Sequence, residues 1–277
     1  MIRKTILRGL CVCCIAFNSL AIGAVHEVKD GQSIQAAVAK AKAGDKIKVL
    51  TGTYHETAYV DKDDISLTGI VENDEWPHLD GEKMLNDAIL YSGNGLSVEW
   101  LKITKTEGNA IMGQSGNNFL IRKNCVTDTG LYGIFPEFGH NGLIENNILS
   151  KIEDPAIYVG MSGYIDFRNN QIFDNVADIE VDNSQHVLVE GNVTRNNTGG
   201  ILVFVTPGLS IKSSYDAVVR RNFVTTNNTP NAAIPGSLVA GIPFGTGIFV
   251  ISGDKVFIED NIITGNTTGG IIVTSGD

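Results

Sequence analysis

Three carboxylates alternate along one short run, Asp178, Glu180 and Asp182, with Ile179 and Val181 between them. In an extended strand successive side chains face opposite ways, so the three acids are expected together on one face. Carboxylates held that close can do two kinds of chemistry. Their oxygens can ligate Ca²⁺. Alternatively, mutual repulsion raises one pKa and leaves a general acid beside an ionised partner. A solvated acidic face is the other reading, in keeping with a net charge of −10. Soft-metal chemistry is poorly supported. The histidines at 26, 55, 78, 140 and 186 form no close pair, and Met84, Met112 and Met161 are widely spaced. Cys125 has no histidine near it in sequence and reads as structural.

The elements that must position these residues are set by a repeat. Six strings share a frame: IRKNCV (121–126), IENNIL (144–149), FRNNQI (167–172), VEGNVT (189–194), VRRNFV (219–224) and IEDNII (258–263). Asn stands fourth in each, at 124, 147, 170, 192, 222 and 261, and Leu101 takes that slot one step earlier. A second series places Ile at 111, 134, 157, 179, 201, 248 and 271, mostly 22–23 residues apart. A third places Asn at 175, 197, 227 and 266. This period, with strand-type alternation and no helix between, predicts a coil of parallel β-strands. Stacked rungs bring equivalent positions to about 4.8 Å, so each Asn can bond the Asn above and below. That accounts for much of a composition holding 31 glycines and 24 asparagines. Residues 33–43 (SIQAAVAKAKA) read as a short amphipathic helix capping the first rung.

With the Ile series pointing inward, the neighbours at −1, +1 and +3 are expected to point outward. The +1 column then reads Met112, Phe135, Tyr158, Glu180, Leu202, Phe249 and Ile272. Phe135 and Tyr158 would offer a stacking surface for a long glycan, unless an inserted loop covers the column. Glu137 falls in the column of Asp182, two rungs away. His140 and His186 are placed in turns just after these strands, where a His–carboxylate pair or simple solvation is open. Insertions at 205–216 and 228–246 interrupt the repeat. The second is apolar, with Pro230, Pro235 and Pro243, and is expected to pack over Leu202 and Phe249.

Residues 1–24 have the order of a secretory signal peptide: Arg3, Lys4 and Arg8, an apolar stretch from Leu10 to Leu20, then Ala21 and Ala24 as cleavage points. Its removal takes away three cations and no acid, so the balance moves from −10 to −13, and three of the four cysteines go with it. Cys125 then cannot form an internal disulfide. The expected location is the periplasm or outside the cell. No later stretch is apolar for 18 residues, so no membrane span is expected. The acidic balance excludes a duplex nucleic-acid partner.

The stretches Gln35–Ala37, Ala43–Ile47, Gly52–Glu56 and Ile65–Gly69 resemble the opening of exported right-handed parallel β-helix proteins of the pectin-lyase-like superfamily. The Asn-punctuated rungs resemble the bacterial parallel β-helix repeat proteins, a group that includes a periplasmic copper-related accessory family and alginate epimerase-like proteins. The likeness runs over about residues 30–277 and implies fold more than activity. Its activity signatures do not carry over. Asp63–Asp64 follows Lys62 rather than Gly, and Gly139–His140 is followed by Asn141. Gly163–Phe167 looks like an esterase motif but runs on into Arg168–Asn170, and Asp154–Pro155 is followed by Ala156.

The fold expected is therefore an all-β, right-handed, single-stranded parallel β-helix over 25–277 with an N-terminal capping helix. The function expected is engagement of an extended polysaccharide, as a lyase, epimerase or hydrolase. The alternatives are a non-enzymatic periplasmic accessory or binding protein of the copper-accessory kind, and a structural surface protein. Asp178, Glu180, Asp182 and Glu137 are the candidate catalytic residues. Phe135, Tyr158, His140 and His186 are the candidate substrate contacts, and Ca²⁺ is the one cofactor considered. The strand ending near Val273 lacks an evident C-terminal cap, so a monomer, an end-to-end contact or a longer native chain is expected.

Overall fold

The computed structural model describes residues 23–275; the signal peptide read over 1–24 lies, except for its last two residues, outside them. Three parallel sheets run the length of the molecule: a first of 10 strands beginning at Val25–Val28, a second of 9 beginning at Gly52–Tyr54 and a third of 9 beginning at Ala58–Val60. After Val25–Val28, which pairs with the very next strand, Lys46–Val49, each turn contributes one strand to each sheet and neighbours in a sheet are three strands apart in sequence. The inward Ile column is real: Ile111, Ile134, Ile157, Ile179, Ile201 and Ile248 are each fully buried in one continuous core. Register pairs these residues rung to rung, as for Ile157 with Ile179 and Ile179 with Ile201.

Both Asn series form ladders inside the corners. Asn147 Nδ2 donates to Asn170 Oδ1 at 3.0 Å and to Ile121 O at 3.0 Å. Asn170 repeats this with Asn192 Oδ1 and Ile144 O. At the foot, the Leu101 backbone N–H donates to Asn124 Oδ1 at 3.1 Å. The second ladder runs from Asn175 through Asn197 to Asn227 and Asn266. The backbone turn itself falls one residue before each Asn of the first ladder. Trp100, Lys123, Asn146, Asn169, Gly191, Arg221 and Asp260 all have φ between 53° and 71°. The ladder Asn is thus free to satisfy corner backbone groups that the sheets do not reach.

The capping helix spans Ile34–Lys40, shorter than the 33–43 run. Ser33 is its N-cap, accepting from the Ala36 N–H. Glu56 accepts from the N–H groups of Ile34 and Gln35, which satisfies two further donors. Ile34 and Val38 bury one face against the first rung. Cys125 is free and half-buried.

The first sheet carries a charge ladder on its outer face. Glu99, Arg122, Glu145, Arg168, Glu190, Arg220 and Glu259 stand in register on consecutive rungs. Arg122 Nε lies 2.8 Å from Glu99, and Arg220 Nε lies 2.9 Å from Glu190. The six from Arg122 onward are the second letters of the six strings, and Glu99 holds the same place one step earlier, two residues before Leu101, so the alternation stands in the sequence. Arg122→Glu would set three acids in a row. Because these pairs are partly exposed, the expected cost is about 1 kcal/mol at low salt, read as a lowered unfolding midpoint. The difference from wild type should shrink in 1 M NaCl.

Candidate functional site: a roofed carboxyl cavity

Glu180 and Asp182 sit on the strand Ala177–Asp182 of the third sheet, between Pro155–Gly160 and Gly199–Phe204. Register sets Tyr158 beside Glu180 and Gly160 beside Asp182. The +1 column is therefore as read from the sequence, and Glu137 shares the column of Asp182 across Gly160. A Cβ at Gly160 would come within 2.7 Å of the Tyr158 ring. The missing side chain lets that ring lie along the column, and its hydroxyl donates to Asp182 Oδ2 at 3.0 Å.

The column is not open to solvent. The two insertions fold back over it, as expected for the second. Val239 and Ile242 pack on Leu202 and Phe249 in a separate apolar cluster outside the coil. The first insertion brings Thr206 onto Asp182: Oγ1 donates to Oδ2 at 2.8 Å and N–H donates to Oδ1 at 3.2 Å. Between strand and roof lies a cavity of about 180 Å³. Its walls are Tyr132, Asp154, Tyr158, Glu180 and Asp182 from the coil, with Thr206, Leu209, Ser237, Leu238 and Val239 from the insertions.

Three carboxyls meet there in three different settings, each with its pKa raised by burial. Asp182 accepts three hydrogen bonds; burial raises its pKa while Thr206 and Tyr158 hold it back. Glu180 is 3% exposed. Burial raises its pKa well above the usual carboxylate value, and the neighbouring Asp182 and Asp154 add to that. Asp154 is 6% exposed, and burial pushes its pKa up to about 7. Neither Glu180 nor Asp154 has a side-chain hydrogen-bond partner among the described residues, and Ser237 Oγ is buried without one. Tyr132 stacks on Tyr158 with centroids 4.8 Å apart, which forms the aromatic side of the cavity.

Several sequence expectations need correction. Asp178 does not face outward with Glu180 and Asp182. It is fully buried inside the coil beside the side chains of Thr194 and Asn175, which hold its pKa down in part without reaching good hydrogen-bond geometry. Its column is otherwise Ala110, Gly133, Ala156, Gly200, Gly247 and Gly270. A Cβ at Gly133 would meet Leu149 and Ile152, and one at Gly200 would meet Val224 and Asn227, all interior side chains. The chain bends here from the second sheet into the third, so two consecutive residues turn inward and the two-residue alternation fails. The three-carboxylate Ca²⁺ set is therefore not assembled. Among the described residues no group of three or more His, Cys, Asp or Glu could hold a metal ion.

Nor are Phe135, Tyr158 and the carboxylates an open patch. Tyr158 is 8% exposed, and Phe135 packs edge-on against both Tyr132 and Tyr158 behind the cavity. Glu137 is half-buried, with its pKa raised by burial, and does not line the cavity. His140 and His186 also stay apart from the carboxyls. His140 begins the strand His140–Glu145 of the first sheet and is exposed. His186 stacks on Tyr164 at 4.5 Å and pairs with Asp216 at 2.6 Å on that sheet's outer face. Sequence reasoning missed Tyr132 and Asp154. Asp154 lies three residues before the inward Ile157, where the neighbouring rungs carry Leu131 and Val176. An acid between two apolar rung neighbours was the available signal.

The family model for the right-handed beta helix region matches residues 82–208 and 109–277, so the chain belongs to that family. Among solved structures it is similar to the Yersinia enterocolitica family 28 exopolygalacturonase. Identity is 12%, 91% of this chain and 68% of that chain are covered, and the TM-score is 0.58. It is also similar to a double mutant of the periplasmic alginate epimerase AlgG, at 13% identity and a TM-score of 0.57. That match covers 85% of this chain and 54% of the other, so this chain spans about half the epimerase's length. A search of curated proteins by sequence gave no match. Both likenesses speak for the fold alone. Among the described residues no helix is long and apolar enough to cross a membrane.

Proposed function

We propose that this chain is an exported glycan-active β-helix protein, led out of the cytoplasm by residues 1–24, and that the roofed cavity hydrolyses a glycosidic bond. One observation carries the reading: Asp154, Glu180 and Asp182 converge in one small enclosure, and two of them have no hydrogen-bond partner. Glycoside hydrolysis needs a carboxylic acid and a carboxylate in different environments. Asp154, its pKa near 7, suits the general acid that protonates the leaving oxygen. Asp182, held by two hydroxyls and an N–H, suits the carboxylate that takes a proton from the attacking water. The water's oxygen bonds to the sugar carbon as the leaving oxygen departs with Asp154's proton. At about 180 Å³ the enclosure is below the roughly 300–1,000 Å³ of drug-sized pockets, which suits a chain end over an internal stretch.

Among the described lining residues there is no Lys, Arg or His to neutralise a uronate. That favours hydrolysis over a lyase or epimerase acting on acidic sugars. The test is a panel of neutral, amino-sugar and uronate oligosaccharides, read for reducing ends and unsaturated product between pH 4 and 8. Turnover should fall above about pH 7, as Asp154 loses its proton. Asp154→Asn should lose turnover by at least about 100-fold while still binding. Binding without product in the wild type would leave a non-enzymatic binding protein, and unsaturated product would restore the lyase.

A further inference from the structure

We propose that the roofed cavity recognises a primary ammonium group carried on a sugar ring, with Glu180 as its counter-ion. This rests on the glycan reading above and names the kind of sugar. The lining presents acceptors in excess of donors. Of the four lining hydroxyls, Tyr158 and Thr206 are directed at Asp182, which leaves those of Tyr132 and Ser237 against the four oxygens of Glu180 and Asp154. What remains for a ligand is the Glu180 carboxyl and the Asp154 carboxyl, neither with a protein hydrogen-bond partner. A buried carboxylate requires either a proton or a positive charge beside it. No described lining residue supplies that charge.

An ammonium suits this lining in sign and hydrogen-bond character, because it brings a positive charge and N–H donors with no acceptor. The stacked Tyr132 and Tyr158 rings on one side add an electron-rich surface to which cations are attracted. Leu209, Leu238 and Val239 give the opposite wall the apolar character that the carbon face of a pyranose needs. A bare metal ion fits less well, since the described residues hold no three-ligand group. Roles then divide among the three acids. Glu180 binds the ammonium, Asp154 carries the transferable proton, and Asp182, held in place by Tyr158 and Thr206, takes the proton of the attacking water.

The proposal is tested by calorimetry on the full chain with four probes: glucosamine hexamer, N-acetylglucosamine hexamer, cellohexaose and spermidine. The glucosamine hexamer should bind at least about tenfold more tightly than its acetylated or hydroxyl counterpart. Binding should release protons, seen as a buffer-dependent heat, and should tighten from pH 5 to pH 7 as the carboxyl proton becomes easier to remove. Glu180→Gln should bring the three hexamers to equal affinity, and its melting temperature reports whether it remains folded. If all three hexamers bind wild type alike, the ammonium proposal falls and the glycan reading stands. If spermidine binds as tightly as the glucosamine hexamer, the sugar part of the proposal falls. If no hexamer binds at any pH, both fall. An amine preference that survives Glu180→Gln would overturn the assignment to Glu180.

Discussion

Asn170→Ala is expected to lower the melting temperature by roughly 10 °C, the result of removing one amide that serves four groups. Asn170 Nδ2 donates to Ile144 O and Asn192 Oδ1, and its Oδ1 accepts from Asn147 N and Asn147 Nδ2, all between 2.9 and 3.0 Å. The residue is fully buried, so water cannot replace the lost partners. Leaving a buried amide and a buried carbonyl unsatisfied costs about 1–3 kcal/mol each, which places the total at about 3–5 kcal/mol. The loss should depend on position. Asn261 makes three such bonds, accepting from Asn222 N and Nδ2 and donating to Val219 O, but it is only partly buried, so water can replace the lost partners and Asn261→Ala should cost less. Equal losses at 170 and 261, measured by calorimetry or urea unfolding, would show that burial does not set the cost.

Asp178→Ala should do the reverse and stabilise the fold. The wild-type carboxyl is enclosed in the coil with neither oxygen in good hydrogen-bond geometry, and burial raises its pKa well above the ordinary value even though Thr194 and Asn175 offset part of the rise. The groups that face it are the side chains of Asn175 and Thr194, both polar and neither a full counter-charge. Alanine already occupies the same column at 156, and Asp178 itself has a Cβ, so the substitution adds no atoms. Removing the unsatisfied group should gain about 1–3 kcal/mol, a rise of several degrees in melting temperature.

The pH dependence follows from linkage. A carboxyl with a raised folded-state pKa keeps a proton that the unfolded chain releases. Its contribution is full below the ordinary value of 3.8 and is lost as pH rises through the folded value. Asp154 acts in the same direction across the window from 3.8 to about 7, and Glu180 and Asp182 are also raised. The wild type should therefore be more stable near pH 4 than near pH 7. Asp178→Asn, which keeps the shape without the ionisation, should flatten that slope. A fall in melting temperature for Asp178→Ala would mean that the acid holds the rung together.

The fold was legible because its signals repeat. One buried Ile or one corner Asn means little, but the same residue every 22–23 positions fixes which side chains stack and which face the core. The +1 column and the place of Glu137 followed from that arithmetic, and the apolar insertion covered Leu202 and Phe249 as its composition required. The site was less legible because it is made where the repeat breaks. Asp178 was placed by carrying a two-residue alternation through a bend, although its column of Gly and Ala marked an interior too narrow for side chains. Asp154 and Tyr132 join the cavity from a corner, and Ser237 arrives from a loop with no periodic position. Burial of Glu180 and Asp182 depends on Thr206 folding back from 24 residues beyond Asp182. Spacing along a single rung cannot carry that information.

The outer charge ladder imposes one more condition on this molecule. The Asn ladders are indifferent to how many rungs lie between two points, because every rung offers the same amide. The line from Glu99 to Glu259 is not, because its sign alternates and its true repeat is two rungs. Deleting one rung from the middle would join Glu to Glu or Arg to Arg across the cut, whereas deleting two would restore the sequence of signs. The coil thus has a parity. It can be lengthened or shortened at low electrostatic cost only in even steps, and that same rule penalises any folding error in which a strand docks one rung out of place.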